Sequence, residues 1–148
     1  MNMNDELPIK NIFKAYDIRG IVGSELTSPT VKKIGQAIGT MALSQMQKTI
    51  CVGYDGRLSS PSLSTTLIDG LLSTGINVID IGLCTTPMLY FSNFYKETGT
   101  GVMITGSHNP PEYNGFKIVI NKKTLSSKDI QNLYQTILDS NFLTGEGN

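Results

Sequence analysis

The sequence predicts a three-layer α/β/α sandwich with a mixed, mostly parallel sheet. Short β-branched runs alternate along the chain with stretches whose apolar residues recur at helical spacing, which is typical of βα units. A hydroxyl residue followed by proline opens three of the helical stretches, at Ser28-Pro29, Ser60-Pro61 and Thr86-Pro87. With 148 residues, of which 39% are hydrophobic, the chain is long enough to bury a core without disulfides or metals.

Local signals place each element in turn. The segment Thr27-Ser28-Pro29 supplies a hydroxyl N-cap and a proline at the first helical position for a helix predicted over 29–46. Gly75 is a C-terminal glycine for the helix that Ser60-Pro61 opens. Ser126 and Asp129 have the spacing of a capping box for a last helix that ends near Ser140. Strands are predicted over 49–54, 77–81, 101–105 and 116–120.

The domain organisation is predicted as one folded unit between two polar ends. Residues 1–8 are polar and unpatterned, so they are expected to be a disordered lead. The α/β/α domain is expected over 9–143. Residues 144–148 are small and flexible, and they are interpreted as the start of an interdomain linker.

The amino-acid composition argues against several kinds of partner and metal site. Twelve Lys plus Arg balance twelve Asp plus Glu, so neither nucleic acid nor an anionic membrane surface is an expected partner. The only histidine is His108, which excludes a multi-histidine metal site. Cys51 and Cys84 lie in apolar surroundings and are expected to be buried and inert. Together with the lack of a signal peptide, they predict a cytoplasmic location.

The segment between the third and fourth predicted strands carries the candidate chemistry. It runs Thr-Gly-Ser-His-Asn-Pro-Pro-Glu-Tyr-Asn-Gly-Phe-Lys over 105–117, with glycines near both ends and a proline pair inside that restricts where its side chains point. Ser107 is a candidate nucleophile, and Lys117 and His108 are both candidates for the base that a serine requires. Arg19 could clamp a phosphate or carboxylate if its segment folds against this loop.

Plainer interpretations stay open for the same residues. Ser107 to Pro110 could form an ordinary turn in which side chains bond their own backbone, and Asp55-Gly56-Arg57 could be a tight turn with a surface ion. Arg19-Gly20 could equally be a turn with a solvated arginine. A serine hydrolase that uses Ser107 and His108 is disfavoured, because adjacent residues tend to point apart and the G-x-S-x-G elbow is missing.

Four motifs resemble the first domain of the α-D-phosphohexomutases, in the same order and at similar spacing. The opening Ala-Tyr-Asp-Ile-Arg-Gly and the Tyr-Asn-Gly-Phe-Lys that ends the serine loop are most similar to the phosphomannomutase/phosphoglucomutase branch of this family. The resemblance extends from about Ile9 to the C-terminus. The motifs lie at 13–20, 53–57, 85–87 and 105–117.

The resemblance implies an isomerase that moves a phosphoryl group between the 1- and 6-positions of a hexose phosphate through a bisphosphorylated sugar. It implies that Ser107 carries the phosphoryl group and, through this phosphate, is a ligand of Mg²⁺. Arg19 and Lys117 match active-site cations, with Lys117 a candidate general base, and His108 matches a histidine that positions or protonates groups. Tyr16 matches a residue near the substrate, as do Arg19 and Lys117, and a hexose 1,6-bisphosphate is implied as activator.

The same resemblance implies which residues support the serine loop and which metal ligands and substrate contacts this sequence lacks. Asp55, Arg57, Thr86 and Asn109 match residues that support the loop. The family's Asp-Gly-Asp-Gly-Asp metal motif does not occur in this sequence, so the remaining metal ligands and most substrate contacts are expected on other domains of a parent enzyme. The chain alone is therefore expected to be an inactive domain fragment. The alternative is a non-catalytic sugar-phosphate-binding or regulatory module with the same fold.

Overall fold

A computed structural model describes residues 10–84, 98–106 and 109–148. In these ranges a short 3-10 turn at Lys10–Ile12 precedes six strands and three helices. In chain order they are β1 (Ile18–Ile21), α1 (Ser28–Ser44), β2 (Thr49–Tyr54), α2 (Ser60–Leu72), β3 (Asn77–Leu83), β4 (Gly101–Ile104), β5 (Tyr113–Ile120), β6 (Lys123–Thr124) and α3 (Ser127–Leu138).

The six strands form one mixed sheet in the order β1-β5-β4-β2-β3, with β6 added along β5. The strands β3, β2 and β4 are parallel to one another. β5 pairs antiparallel with β4, β1 and β6. The predicted mixed sheet is confirmed, but "mostly parallel" describes it only loosely, because among the described strands the β2–β3 and β2–β4 pairings are parallel and the three pairings of β5 are antiparallel.

The main core lies between one face of this sheet and the three helices. Strand residues such as Ile50, Val102 and Phe116 are fully buried there against apolar residues of α1, α2 and α3. Each such side chain contributes on the order of 1.5–3 kcal/mol of burial free energy. The alternate residues Met103 and Val119 form a smaller buried cluster on the opposite face. The helix predicted from Thr86-Pro87 lies outside the described residues.

The helix ends confirm two of the predicted caps and revise the third. The Thr27 side chain accepts a hydrogen bond from the Thr30 N–H at 3.3 Å, and Ser126 and Asp129 form a complete capping box. α2 differs, because its N-cap is Ser59, whose side chain makes no capping bond. Since the backbone turns left-handed at Met46 (φ 66°), α1 ends at Ser44, two residues earlier than predicted.

The strands β1 and β6 were missed and three others have different bounds, since β3 ends at Leu83, two residues later than predicted, and β4 ends at Ile104, one residue earlier. The segment around Arg19, which the sequence suggests is a turn, is strand β1, and β5 begins at Tyr113, three residues before the predicted start. These two segments pair with each other, Arg19 opposite Gly115 and Gly20 opposite Asn114. Because β1 is short and glycine interrupts the apolar alternation of both partners, only the long-range pairing identifies them as strands.

The last described residues also bond to the domain. The N–H groups of Gly145 and Gly147 donate to the carbonyls of Ser73 and Leu72, at 3.0 and 2.9 Å. The Val78 N–H donates to the Asn148 carbonyl at 2.9 Å, which places this segment beside the first residues of β3.

Alanine in place of Gly70 should destabilise the fold. A Cβ at Gly70 would overlap the Lys32 carbonyl oxygen of α1, and one at Gly35 would overlap the Leu67 carbonyl oxygen of α2. Backbone atoms cannot move aside, so we expect overpacking to outweigh the better helix propensity of alanine and to cost about 1–3 kcal/mol of unfolding free energy. Denaturant unfolding of Gly70→Ala measures this loss. Gly56→Ala, which meets nothing within 4 Å, is the control, and equal midpoints for the two variants would contradict the prediction.

Candidate active site

The serine loop joins β4 to β5 at the edge of the sheet where the parallel strands β2 and β4 end. Ser107 and His108 lie outside the described residues, and Gly106 and Asn109 flank them. The Gly106 carbonyl accepts hydrogen bonds from both the backbone N–H and the side-chain amide of Asn109, at 2.9 and 3.0 Å. The residue before Ser107 and the residue after His108 are therefore tied to each other.

Arg57 holds the second half of the loop by its backbone. Its guanidinium donates to the carbonyl oxygens of Asn109 and Pro110 at 2.7 Å each, and to that of Tyr113 at 3.1 Å. The guanidinium presents its N–H groups in a fixed plane, so one side chain can set the positions of several carbonyls at once. The interpretation of Arg57 as a solvated surface ion is wrong.

Asp55 holds the first half of the loop. One of its carboxylate oxygens accepts the Gly106 N–H at 3.0 Å, and the other accepts the Arg57 N–H at 3.1 Å and the Ser60 hydroxyl at 2.7 Å. Burial would raise the pKa of Asp55, but hydrogen bonds from the Ser60 hydroxyl, the Arg57 and Gly106 N–H groups and the Thr105 side chain outweigh it and lower the pKa below the ordinary 3.8. Asp55 is therefore ionised at neutral pH.

Gly106 lies next to both Asp55 and Arg57. The Asp55 and Arg57 side chains lie 3.6 Å apart, carboxylate oxygen to Nε. A Cβ at Gly106 would overlap the Arg57 guanidinium, so only glycine lets the arginine lie flat against the start of the loop.

Arg19 and Lys117 lie on the same face of the sheet, opposite the helices. Ile18 and Phe116 are register partners that both point into the core, so the next residues, Arg19 on β1 and Lys117 on β5, point to the other side. Gly115, the register partner of Arg19, leaves room for its side chain, because a Cβ there would lie 2.7 Å from Arg19 Cγ. The structure thus brings together two of the predicted cations.

Arg19, Lys117 and the nearby Tyr16 differ in how far their side chains are exposed to solvent. The Arg19 side chain is 40% exposed and pairs with Asp17 at 3.1 Å. Tyr16 is 70% exposed, so its ring is accessible to a ligand. Lys117 is half-buried, and among the residues that the structure describes its ammonium has no hydrogen bond or ion pair.

A comparison with known protein families identifies the family of the chain. The family model described as phosphoglucomutase/phosphomannomutase, alpha/beta/alpha domain I, matches residues 10–143. The chain belongs to this family. Its fold agrees, since it superimposes on the phosphoglucomutase/phosphomannomutase family protein of Burkholderia thailandensis with a TM-score of 0.88 and 39% identity, over 96% of this chain and 33% of that one.

Other relatives carry related names. The phosphomannomutase/phosphoglucomutase of Pseudomonas aeruginosa is 48% identical over 93% of this chain, and the phosphoglucomutase of Neisseria gonorrhoeae is 47% identical over 93%. The chain spans about 30% of the length of each. These relatives therefore contain further sequence beyond the part that this chain matches.

Sequence reasoning did not assign a role in this site to three polar residues, which are Asn114, Ser59 and Ser60. Asn114 is fully buried in β5, and its side-chain amide donates to the hydroxyls of Ser59 and Ser60 at 2.9 Å each. Ser60-Pro61 has a strong local interpretation as a helix start, which hides the use of the Ser60 hydroxyl by Asp55. Thr86, a predicted supporting residue, lies outside the described residues.

The described residues do not make a metal centre. In the ranges 10–84, 98–106 and 109–148, no three His, Cys, Asp or Glu side chains are placed to hold an ion together. A cavity of about 580 Å³ lies beside the loop, with Val22, Leu58 and Pro111 among its walls. Within the described ranges, helices long and apolar enough to cross a bilayer are not found. Cys51 and Cys84 are buried, as predicted, and burial raises the pKa of the Cys84 thiol.

Proposed function

We propose that this chain is the phosphoserine-bearing catalytic domain of a phosphohexomutase, an isomerase that transfers a phosphoryl group reversibly between the 1- and 6-positions of a hexose phosphate. Ser107 is the proposed carrier, and a bisphosphorylated sugar is the proposed intermediate. The family membership and the names of the relatives support this reaction class.

The observation that carries the proposal is the double support of the loop around Ser107. Asp55 binds the backbone just before this serine, and Arg57 binds three carbonyls just after His108. A loop that only reversed the chain between β4 and β5 would not need two partly buried charged side chains to set its backbone. In-line phosphoryl transfer does need a nucleophile held in one place, because catalysis of this reaction is mostly positioning and charge stabilisation.

Each of the remaining site residues has a proposed role in the transfer. The phosphoryl group leaves the Ser107 oxygen for a sugar hydroxyl, and the proton of that hydroxyl passes to a base, for which Lys117 is the candidate. His108 positions or protonates the transferred groups. A phosphoserine brings a charge of about −1.5 to −2, so a second phosphate approaches only where cations face it. Arg19 and Lys117 share one face of the sheet and can supply that charge, with Tyr16 at the substrate.

The proposed reaction also requires a metal ion, an activator and further domains, which the described residues do not include. Mg²⁺ would be held by the phosphate of Ser107 and by ligands that the described residues do not supply. A hexose 1,6-bisphosphate is proposed as activator, and the additional domains of a parent enzyme as the partners that complete the substrate site. A cytoplasmic location stays a prediction.

An activity assay tests the function directly. The polypeptide encoded by the complete gene, supplied with Mg²⁺ and a trace of glucose 1,6-bisphosphate, is expected to interconvert glucose 1- and 6-phosphate or mannose 1- and 6-phosphate. The 148-residue chain alone is expected to be inactive in the same assay. Tight binding of a hexose phosphate without turnover by the complete polypeptide would instead favour the sugar-phosphate-binding module.

A further inference from the structure

A buried chain of hydrogen bonds connects the two ends of the serine loop through the first residue of α2. It runs from the Asn114 amide to the Ser60 hydroxyl at 2.9 Å, from this hydroxyl to the Asp55 carboxylate at 2.7 Å, and from the carboxylate to the Gly106 N–H at 3.0 Å. Asn114 follows the loop and Gly106 precedes Ser107. Both Asn114 and Ser60 are fully buried, so water does not compete for the bond between them.

The direction of each bond in this chain is determined by its neighbours. The Asn114 side-chain oxygen accepts the Gly115 N–H at 2.9 Å, so its NH₂ group faces the serine hydroxyls and can only donate to them. The Ser60 hydroxyl therefore accepts from Asn114, and its single proton is left for Asp55. With the amide reversed, two donors would face each other at Gly115, and Ser60 would have to give its proton to Asn114 instead.

We propose that Ser60 and Asn114 are positioning residues for Ser107, acting through Asp55 and Gly106; this inference rests on the proposed phosphoryl transfer. Ser60 orients one carboxylate oxygen of Asp55, which leaves the other oxygen aimed at the Gly106 N–H. The charged acceptor makes this last bond stronger than a bond between neutral groups. Without the Ser60 hydroxyl, the oxygen that it binds would lose its 2.7 Å bond and keep the 3.1 Å bond from the Arg57 N–H, so the carboxylate and the backbone just before the nucleophile would be held less firmly.

The first test follows the Gly106 amide and does not depend on catalysis. The chemical shift of an N–H that donates to a carboxylate changes when the carboxylate is protonated, so the Gly106 signal reports the titration of Asp55 in the 148-residue chain. The pKa of Asp55 is lowered, so its stabilising bonds are intact above pH 3.8 and are lost as the pH falls through the lowered value. In Ser60→Ala the midpoint should rise by about one pH unit, because one lowering bond is gone.

Ser64→Ala is the matched control for this titration. Ser64 lies one turn further along α2 and is also buried, and its hydroxyl is a buried side-chain oxygen of the described residues without a hydrogen-bond partner. Its removal should leave the Gly106 midpoint unchanged. An unchanged midpoint in Ser60→Ala, or an equal change in Ser64→Ala, would overturn the proposal.

The second test measures the mutase reaction of the complete polypeptide. Ser60→Ala should lower kcat by about ten- to a hundred-fold with little change in KM, since a small misplacement of a reacting group slows chemistry more than binding. Ser60→Thr retains the hydroxyl and should restore most of kcat. A rise in KM at unchanged kcat, or a failure of Thr to restore activity in a folded variant, would contradict a positioning role. If the unaltered enzyme shows no mutase activity, the proposed function fails while the Gly106 titration still decides the hydrogen-bond chain.

Discussion

Incubation of the complete polypeptide with glucose 1,6-bisphosphate should place a phosphoryl group on Ser107, and Ser107→Ala should accept none. The alanine variant has no oxygen at this position to form the phosphoester, so the expected change is from stoichiometric labelling to background. Intact-mass measurement and peptide mapping read both the extent and the site of labelling. This is the largest effect expected of any single substitution in the chain.

The controls for this experiment separate loss of the nucleophile from loss of the loop. Ser62→Ala removes an exposed serine from α2 and should be labelled like the unaltered protein. Ser107→Ala should keep the Gly106 amide signal near its original position, because Asp55 accepts the Gly106 N–H and Arg57 donates to the Asn109 carbonyl, and neither of these bonds uses an atom of Ser107. Labelling that persists in Ser107→Ala would show that another residue carries the phosphoryl group.

Elements with strong local signals were predicted well. β2 was predicted with its observed bounds, and the capping box of Ser126 and Asp129 is present at the start of α3. The chemistry of a cap or a β-branched run is complete within a few residues, so the sequence shows it directly. β1 and the first residues of β5 were missed for the opposite reason. They are strands only because they pair with each other across more than ninety intervening residues.

The candidate site, like the fold, could be predicted only where its residues lie close together in the sequence or match the family's motifs. The loop over 105–117 stands out by its composition, and the supporting role of Asp55 and Arg57 follows from the family resemblance. The path from Asn114 through Ser60 to Asp55 could not be predicted, because it joins β5 to α2 through side-chain directions that only the folded structure defines. Serine before proline is also a common pattern at a helix start, so it predicts the helix and gives no sign that the Ser60 hydroxyl binds Asp55.

Replacing Lys117 by methionine should slow phosphoryl transfer by about 10²–10⁴-fold, the range expected for loss of a general acid or base. The fold should change little, by less than about 0.5 kcal/mol of unfolding free energy, because methionine keeps most of the apolar stem and the ammonium has no described partner to lose. Single-turnover transfer from the phosphorylated enzyme to glucose 1-phosphate measures the rate, and denaturant unfolding measures the stability. Lys123→Met, an exposed lysine on β6, is the matched control and should leave both unchanged.

Arginine at the same position distinguishes a base from a simple cation. Lys117→Arg keeps the positive charge on the face that Arg19 shares, but a guanidinium does not give up its proton at neutral pH and cannot serve as a base. If Lys117 removes the proton from the sugar hydroxyl, the arginine variant should be about as slow as the methionine variant. A rate restored by arginine would show that the residue acts through its charge on the transferring phosphate. A methionine variant within ten-fold of the unaltered enzyme would remove Lys117 from the chemistry altogether, and the base would then have to be sought elsewhere, with His108 as the first candidate.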